Sequence, residues 1–167
     1  MKKIILVLCA AVAFVCGSCQ SKRTPIVGVW EANVTMQSEL DSTTKIVPAA
    51  TLLTKQHIIW TFLDDETFTW FVEQRVIGVS FTEPFENESE SKEAFIKQFT
   101  KTLSFSGSYH QFRQTLYVAV EKAQEKIDAG YVDFEPPSDL EQRNLPYEIL
   151  VGDTLILDNI TYRRVIK

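Results

Sequence analysis

The sequence predicts a mainly β fold: an antiparallel barrel of eight or nine strands with one or two short helices. Three observations predict it. Apolar residues alternate with polar ones over most of the chain after Ile26, turn residues punctuate these runs at short intervals, and only two stretches have helical spacing. A closed barrel is the economical arrangement for so many short strands, because it leaves no sheet edge exposed.

The strands are expected near 27–36, 45–53, 56–63, 67–80, 103–110, 115–120, 146–151, 154–158 and 160–166. The strongest signal is the hairpin in HIIWTFLDDETFTWFV, where Ile58, Trp60 and Phe62 face Phe68, Trp70 and Val72. A three-residue loop Asp64-Asp65-Glu66 sets Phe62 opposite Phe68 and Trp60 opposite Trp70, whereas a two-residue loop would set Phe62 against Thr69. The last loop position favours a left-handed residue, so Glu66 there could lengthen the loop. Next comes an acidic stretch, 83–93, which leads into KEAFIKQFTKTL. There Phe95, Phe99 and Leu103 fall at i, i+4 and i+8, and Ser89 or Ser91 can cap a short amphipathic helix.

LSFSGSYH and TLYVAV read as a second hairpin about Phe112-Arg113. EKAQEKIDAG then reads as a helix stopped by Gly130, although one helix from Leu116 through Ile127 fits the same periodicity. YVDFEPPSDLEQRNLP reads as a long loop, and the chain closes as a β-meander with two-residue turns at Gly152-Asp153 and Asp158-Asn159.

The N-terminus has a different composition. Lys2 and Lys3 precede the apolar run Ile4 to Cys16, and Gly17-Ser18-Cys19 follows. Thirteen apolar residues reach only about 20 Å as a helix, short of a ~30 Å hydrocarbon core, so the run reads as a signal peptide over 1–18. Gly-Ser before Cys19 resembles the lipobox of bacterial lipoproteins, which implies diacylglyceryl and N-acyl (palmitate) modification of Cys19. An ordinary secretory signal cut near Ser18 is the alternative. Cys9 and Cys16 lie in the removed segment and act as apolar filler, so no disulfide framework exists. Two or more acyl chains give stable anchoring where one is marginal. Residues 19–25 form a lipidated tether, and 26–167 form one domain.

Without Lys2 and Lys3, 15 basic residues stand against 22 acidic ones, a net charge of −7. This balance excludes nucleic acid as a partner. No nucleophile elbow, zinc-protease helix, phosphate loop or dinucleotide fingerprint occurs, so neither an enzyme nor a cofactor is expected. His57 and His110 are the only histidines, and the glutamates of 83–93 lack calcium-loop spacing, so no metal site is expected either.

Gly28-Val29-Trp30 at the start, Asp64-Asp65-Glu66-Thr67-Phe68 in the hairpin and Thr161-Tyr162-Arg163-Arg164 at the end together resemble the bacterial lipocalin-like domain lipoprotein family. Glu66 stands where the family pattern has Gly. The resemblance implies a calyx whose base is sealed by Gly28, Trp30 and an arginine of the last strand, Arg164 or alternatively Arg163. It also implies an interior that is either filled or holds one small ligand. Trp60, Phe62, Phe68, Trp70, Phe105 and Tyr109, with Phe81, are the candidate lining for a hydrophobic or amphipathic ligand, and Arg75 and Gln74 are candidate polar contacts at the mouth. Two functions follow as expectations. One is an anchored envelope lipoprotein, in the outer membrane, that binds such a ligand; the other is a solid-cored module whose segment 83–93 or 131–145 meets another envelope protein.

Overall fold

The computed structural model describes residues 26–41, 49–128, 130–151 and 153–166. The signal segment, Cys19, the tether, the start of the strand expected at 45–53, and Gly152 lie outside the described residues. In chain order the elements are β1 (Gly28–Leu40), β2 (Ala50–Phe62), β3 (Thr67–Phe81), α1 (Glu88–Phe99), β4 (Lys101–Phe112), β5 (Thr115–Ile127), β6 (Gly130–Phe134), α2 (Ser138–Glu141), β7 (Gln142–Leu150), β8 (Thr154–Leu157) and β9 (Ile160–Arg164). Each strand pairs antiparallel with its neighbours, and β4–β5 pairing closes eight of them into a barrel. The ninth, β6, is added to the outer half of β5.

The period-2 pattern of β2 explains the wall. Ala50, Leu52, Thr54, Ile58, Trp60 and Phe62 all turn one buried face inward. Expected as two strands, this stretch is one, because its polar inward residues find partners. Thr54 Oγ1 donates to the Met36 carbonyl at 3.4 Å, and Gln56 Nε2 donates to Gln74 Oε1 at 2.7 Å. The register opposite β3 sets Ile58 against Val72, Trp60 against Trp70 and Phe62 against Phe68. Glu66 takes the left-handed conformation itself (φ 62°), so the loop keeps three residues.

Several expectations are corrected. EKAQEK is strand, not helix: β5 continues to Ile127 because its second half pairs with both β4 and β6. Sheet closure outweighs helical propensity there. The segment expected as a long loop contains β6, α2 and the start of β7. Helix α1 begins at Glu88 behind Asn87 (φ 64°), with no side-chain cap from either serine, and ends before Leu103, which belongs to β4. The β4–β5 turn is Arg113-Gln114, one residue later than expected, since Phe112 pairs with Thr115. Leu150 pairs with Thr154, giving a three-residue connection where two were expected. Asp158 and Asn159, both with positive φ (51° and 63°), make the expected two-residue turn.

One end of the barrel, here called the base, gathers Ile26, the β2–β3, β4–β5 and β7–β8 connections and the residues after β9. Helix α2 lies beside the middle of β5, between the residues opposite Ala119 and Ala123, and the far end carries α1. There Phe95 of α1 lies 5.6 Å from Phe81, and Gln74 Nε2 donates to the Phe99 carbonyl at 2.8 Å.

Candidate functional site: an aromatic belt through the barrel

At the base, β1 meets β9 through two residue pairs, Trp30 with Arg164 and Glu31 with Arg163, and the Val165 N–H donates to the Val29 carbonyl. Trp30 is fully buried, and its indole N–H donates to the Ile26 carbonyl at 2.6 Å. The Arg164 guanidinium lies 4.4 Å from the centre of the Trp30 ring, a cation–π distance. It also donates to the Val27 carbonyl at 3.2 Å and pairs with Asp153 at 3.3 Å. Arg163, one residue earlier, is exposed on the outer face. Gly28 has φ 136°, and a Cβ there would come within 3.2 Å of Arg164, so both backbone and space call for glycine.

The register then carries the Trp30 position around the barrel. Trp30 is opposite Trp60, Trp60 opposite Trp70, Trp70 opposite Phe105, Phe105 opposite Ala123, and Ala123 opposite Phe134. Because barrel strands are tilted, this row climbs from the base toward the far end. Trp60 stacks on Trp70 (4.9 Å) and Phe62 (5.4 Å), and Trp70 stacks on Phe105 (4.7 Å). Phe68 lies 5.4 Å from Trp60, and Tyr109 meets Phe62 edge-on at 5.1 Å.

The candidate ligand residues are thus brought together, but against one another. Trp60, Phe62, Phe68, Phe105 and Tyr109 are each 6% exposed or less, and each has another ring of the set within 5.4 Å. Tyr109 also uses its polar end, donating to the Leu63 carbonyl at 2.7 Å. Burial raises its pKa, with further contributions from the charges of Glu66, Asp65 and Asp64. Asp65 itself is held below the usual carboxylate range by the Thr67 hydroxyl and backbone N–H. Trp70 alone is half-buried, and among the described residues its indole nitrogen is buried without a hydrogen-bond partner.

Arg75 does not join the belt. The two-residue period puts odd-numbered residues of lower β3 outside, where Arg75 is exposed and bonds to Glu73 at 2.9 Å. Gln74 does face inward, with both of its contacts internal. His57 lies outside, 3.8 Å from Glu31, and His110 is exposed. No group of three or more His, Cys, Asp or Glu residues placed to hold a metal occurs among the described residues. None of the described helices is long and apolar enough to cross a membrane.

Sequence reasoning missed Tyr162, which is buried opposite Leu155 and shares a hydrogen bond with Trp60. The signal was available: once Arg164 is placed inward, alternation along β9 puts Tyr162 and Ile160 inward too. Burial pushes the Tyr162 hydroxyl up to about 12, against the opposing effect of the Trp60 bond. The unfolded chain therefore loses this proton first, near pH 10, and stability present below that pH drains away as pH rises toward 12. Urea titrations across this range should show a loss on the order of 2–3 kcal/mol that Tyr162→Phe removes. A Tyr162→Phe protein with the same alkaline slope would contradict the assignment.

No family model, no curated protein and no solved structure matches this chain.

Proposed function

We propose that this chain is a lipoprotein of the bacterial cell envelope, held in the outer membrane by lipid on Cys19, whose barrel is a solid, non-enzymatic interaction module. The observation that carries this reading is the mutual stacking of Trp60, Phe62, Phe68, Trp70, Phe105 and Tyr109: the space a ligand would occupy against these rings holds other rings of the chain. Rings packed against one another in this way give a rigid support and leave recognition to the surface. The surface with the strongest character is the acidic far end. Glu83, Glu86, Glu88, Glu90 and Glu93 precede or lie on α1, and Glu135, Asp139 and Glu141 extend the acidic character down the wall to α2. A protein with a basic face is the partner such a surface selects.

Photo-crosslinking in cells tests this directly. A crosslinker at Glu90 should give one discrete protein adduct that Glu86→Lys with Glu93→Lys abolishes. Absence of any adduct at the far end would contradict the reading.

One observation favours a second reading, a ligand beside Trp70. The Trp70 indole N–H is a buried donor with no described partner, and half-buried Leu103 and Phe134 belong to the same cluster. A lipophilic molecule with a carbonyl or hydroxyl oxygen would satisfy that donor. Such a ligand would shift tryptophan emission on titration, and Trp70→Phe would weaken its binding.

A further inference from the structure

The base of the barrel carries an apolar rim. Leu63, Phe112, Leu150, Val151, Val165 and Ile166 come from four separate chain segments, and each is at least 36% exposed; Ile166 is 79% exposed and Val151 entirely so. Solvated loop tips ordinarily avoid such a gathering of large aliphatic and aromatic side chains. Other exposed apolar residues lie elsewhere: Met36, Leu53, Ile77 and Ile96 toward the far end, Met36 on the inward face opposite Thr54, and Ile127, Tyr131 and Val132 on the β5–β6 hairpin. The base differs from both in one respect, which is where the chain comes in.

Ile26 is buried at the base against Trp30, so the seven residues from Cys19 reach the barrel from that side. Fully extended, seven residues span at most about 25 Å. Strands of 13 residues, tilted as in other barrels, give a wall about 34 Å tall. A lipid on Cys19 therefore keeps the base within about 25 Å of the bilayer, too close for the barrel to stand on its far end. Charge agrees with this orientation, since five glutamates of 83–93 crowd the far end, where they would oppose anionic lipid. The base carries Asp64, Asp65, Glu66 and Asp153 against Arg113, Arg163 and Arg164, a mixture that suits a zwitterionic surface better than an anionic one. Arg113 lies 5.2 Å from the Phe112 ring, a pairing of aromatic and cation suited to a headgroup layer.

The geometry points to a membrane-docking face at the barrel base: Phe112, Val151, Ile166 and their neighbours enter the headgroup region of a zwitterionic bilayer and hold the acidic far end outward. This inference rests on the lipid-anchor reading of Cys19, and its test separates the two. Protein produced from the full sequence is purified and reconstituted into phosphatidylcholine vesicles, with single cysteines at Phe112, Val151 or Glu90 carrying an environment-sensitive fluorophore. Mass spectrometry of the N-terminal peptide reads the anchor. Quenching by nitroxide-labelled lipid reads the docking.

With Cys19 lipidated, labels at 112 and 151 should be quenched at least twofold more than the label at 90. Equal quenching at all three sites, or stronger quenching at 90, overturns the docking face while leaving the anchor in place. An unmodified Cys19 overturns the anchor, and the docking face falls with it. Two base sites on different connections guard against a local effect of either substitution.

Discussion

Gly107→Ala should lower the midpoint of thermal unfolding by about 10 °C or more, corresponding to a loss above the ~1–3 kcal/mol typical of overpacking. The added Cβ would sit 1.9 Å from the Ala119 carbonyl oxygen and 3.0 Å from the Glu121 amide nitrogen. Both are backbone atoms, so no rotamer change relieves the clash. The β4–β5 register shifts between Ser106 and Gly107, and it is β4–β5 pairing that closes the barrel. Glycine is therefore needed where the partner strand's backbone comes closest. Gly78→Ala is the matched control: its Cβ would meet Leu53 at 3.5 Å, an ordinary contact, so a change within about 0.5 kcal/mol is expected. Equal effects at the two glycines would contradict the closure geometry.

Trp30→Ala should cost about 3–5 kcal/mol, at the upper end of large-to-small core changes. Three losses coincide there. The largest fully buried side chain leaves a cavity, the Arg164 guanidinium loses its aromatic face, and the Ile26 carbonyl loses its donor. The position matters because the β1–β9 seam has only two residue pairs, one of them Trp30 with Arg164. Trp30→Phe keeps a ring for Arg164 but not the hydrogen bond, so it should cost less, about 1–3 kcal/mol. Urea unfolding of both variants checks this: the midpoint should fall with an unchanged slope, more for alanine than for phenylalanine.

What was legible in the sequence depended on how much apolar alternation each strand carries. The β2–β3 hairpin could be read to the residue, because aromatic residues mark one face of both strands and only one loop length aligns them. The second half of β5 could not. In EKAQEK only Ala123 is buried, so nothing local opposes a helix, and the strand exists because β4 and β6 need a partner there. β6 itself was hidden for a similar reason: as an added outer strand it has no buried residue to betray an alternation. The base was legible only through the resemblance carried by Gly28, Trp30 and an arginine in the last strand. Choosing between Arg163 and Arg164 required knowing which face is inward.

The aromatic belt was half legible. Its members could be named from the strands, but whether they line a hollow or fill it depends on cross-strand register and ring geometry. Trp30 and Phe134 share one row although 104 positions separate them in the sequence, and only five successive strand pairings, through four intervening strands, bring them into line. The outward placement of Arg75 has a simpler cause: it stands five positions after Trp70, an odd step, so the pleat turns the two to opposite faces.

The central claim is that the barrel interior is filled by the chain's own aromatic rings. Native mass spectrometry of the protein after incubation with a lipid extract of bacterial envelopes tests it most directly. The same mass is expected before and after incubation. One added lipophilic molecule per chain, retained through buffer exchange and lost in Trp70→Phe, would contradict it.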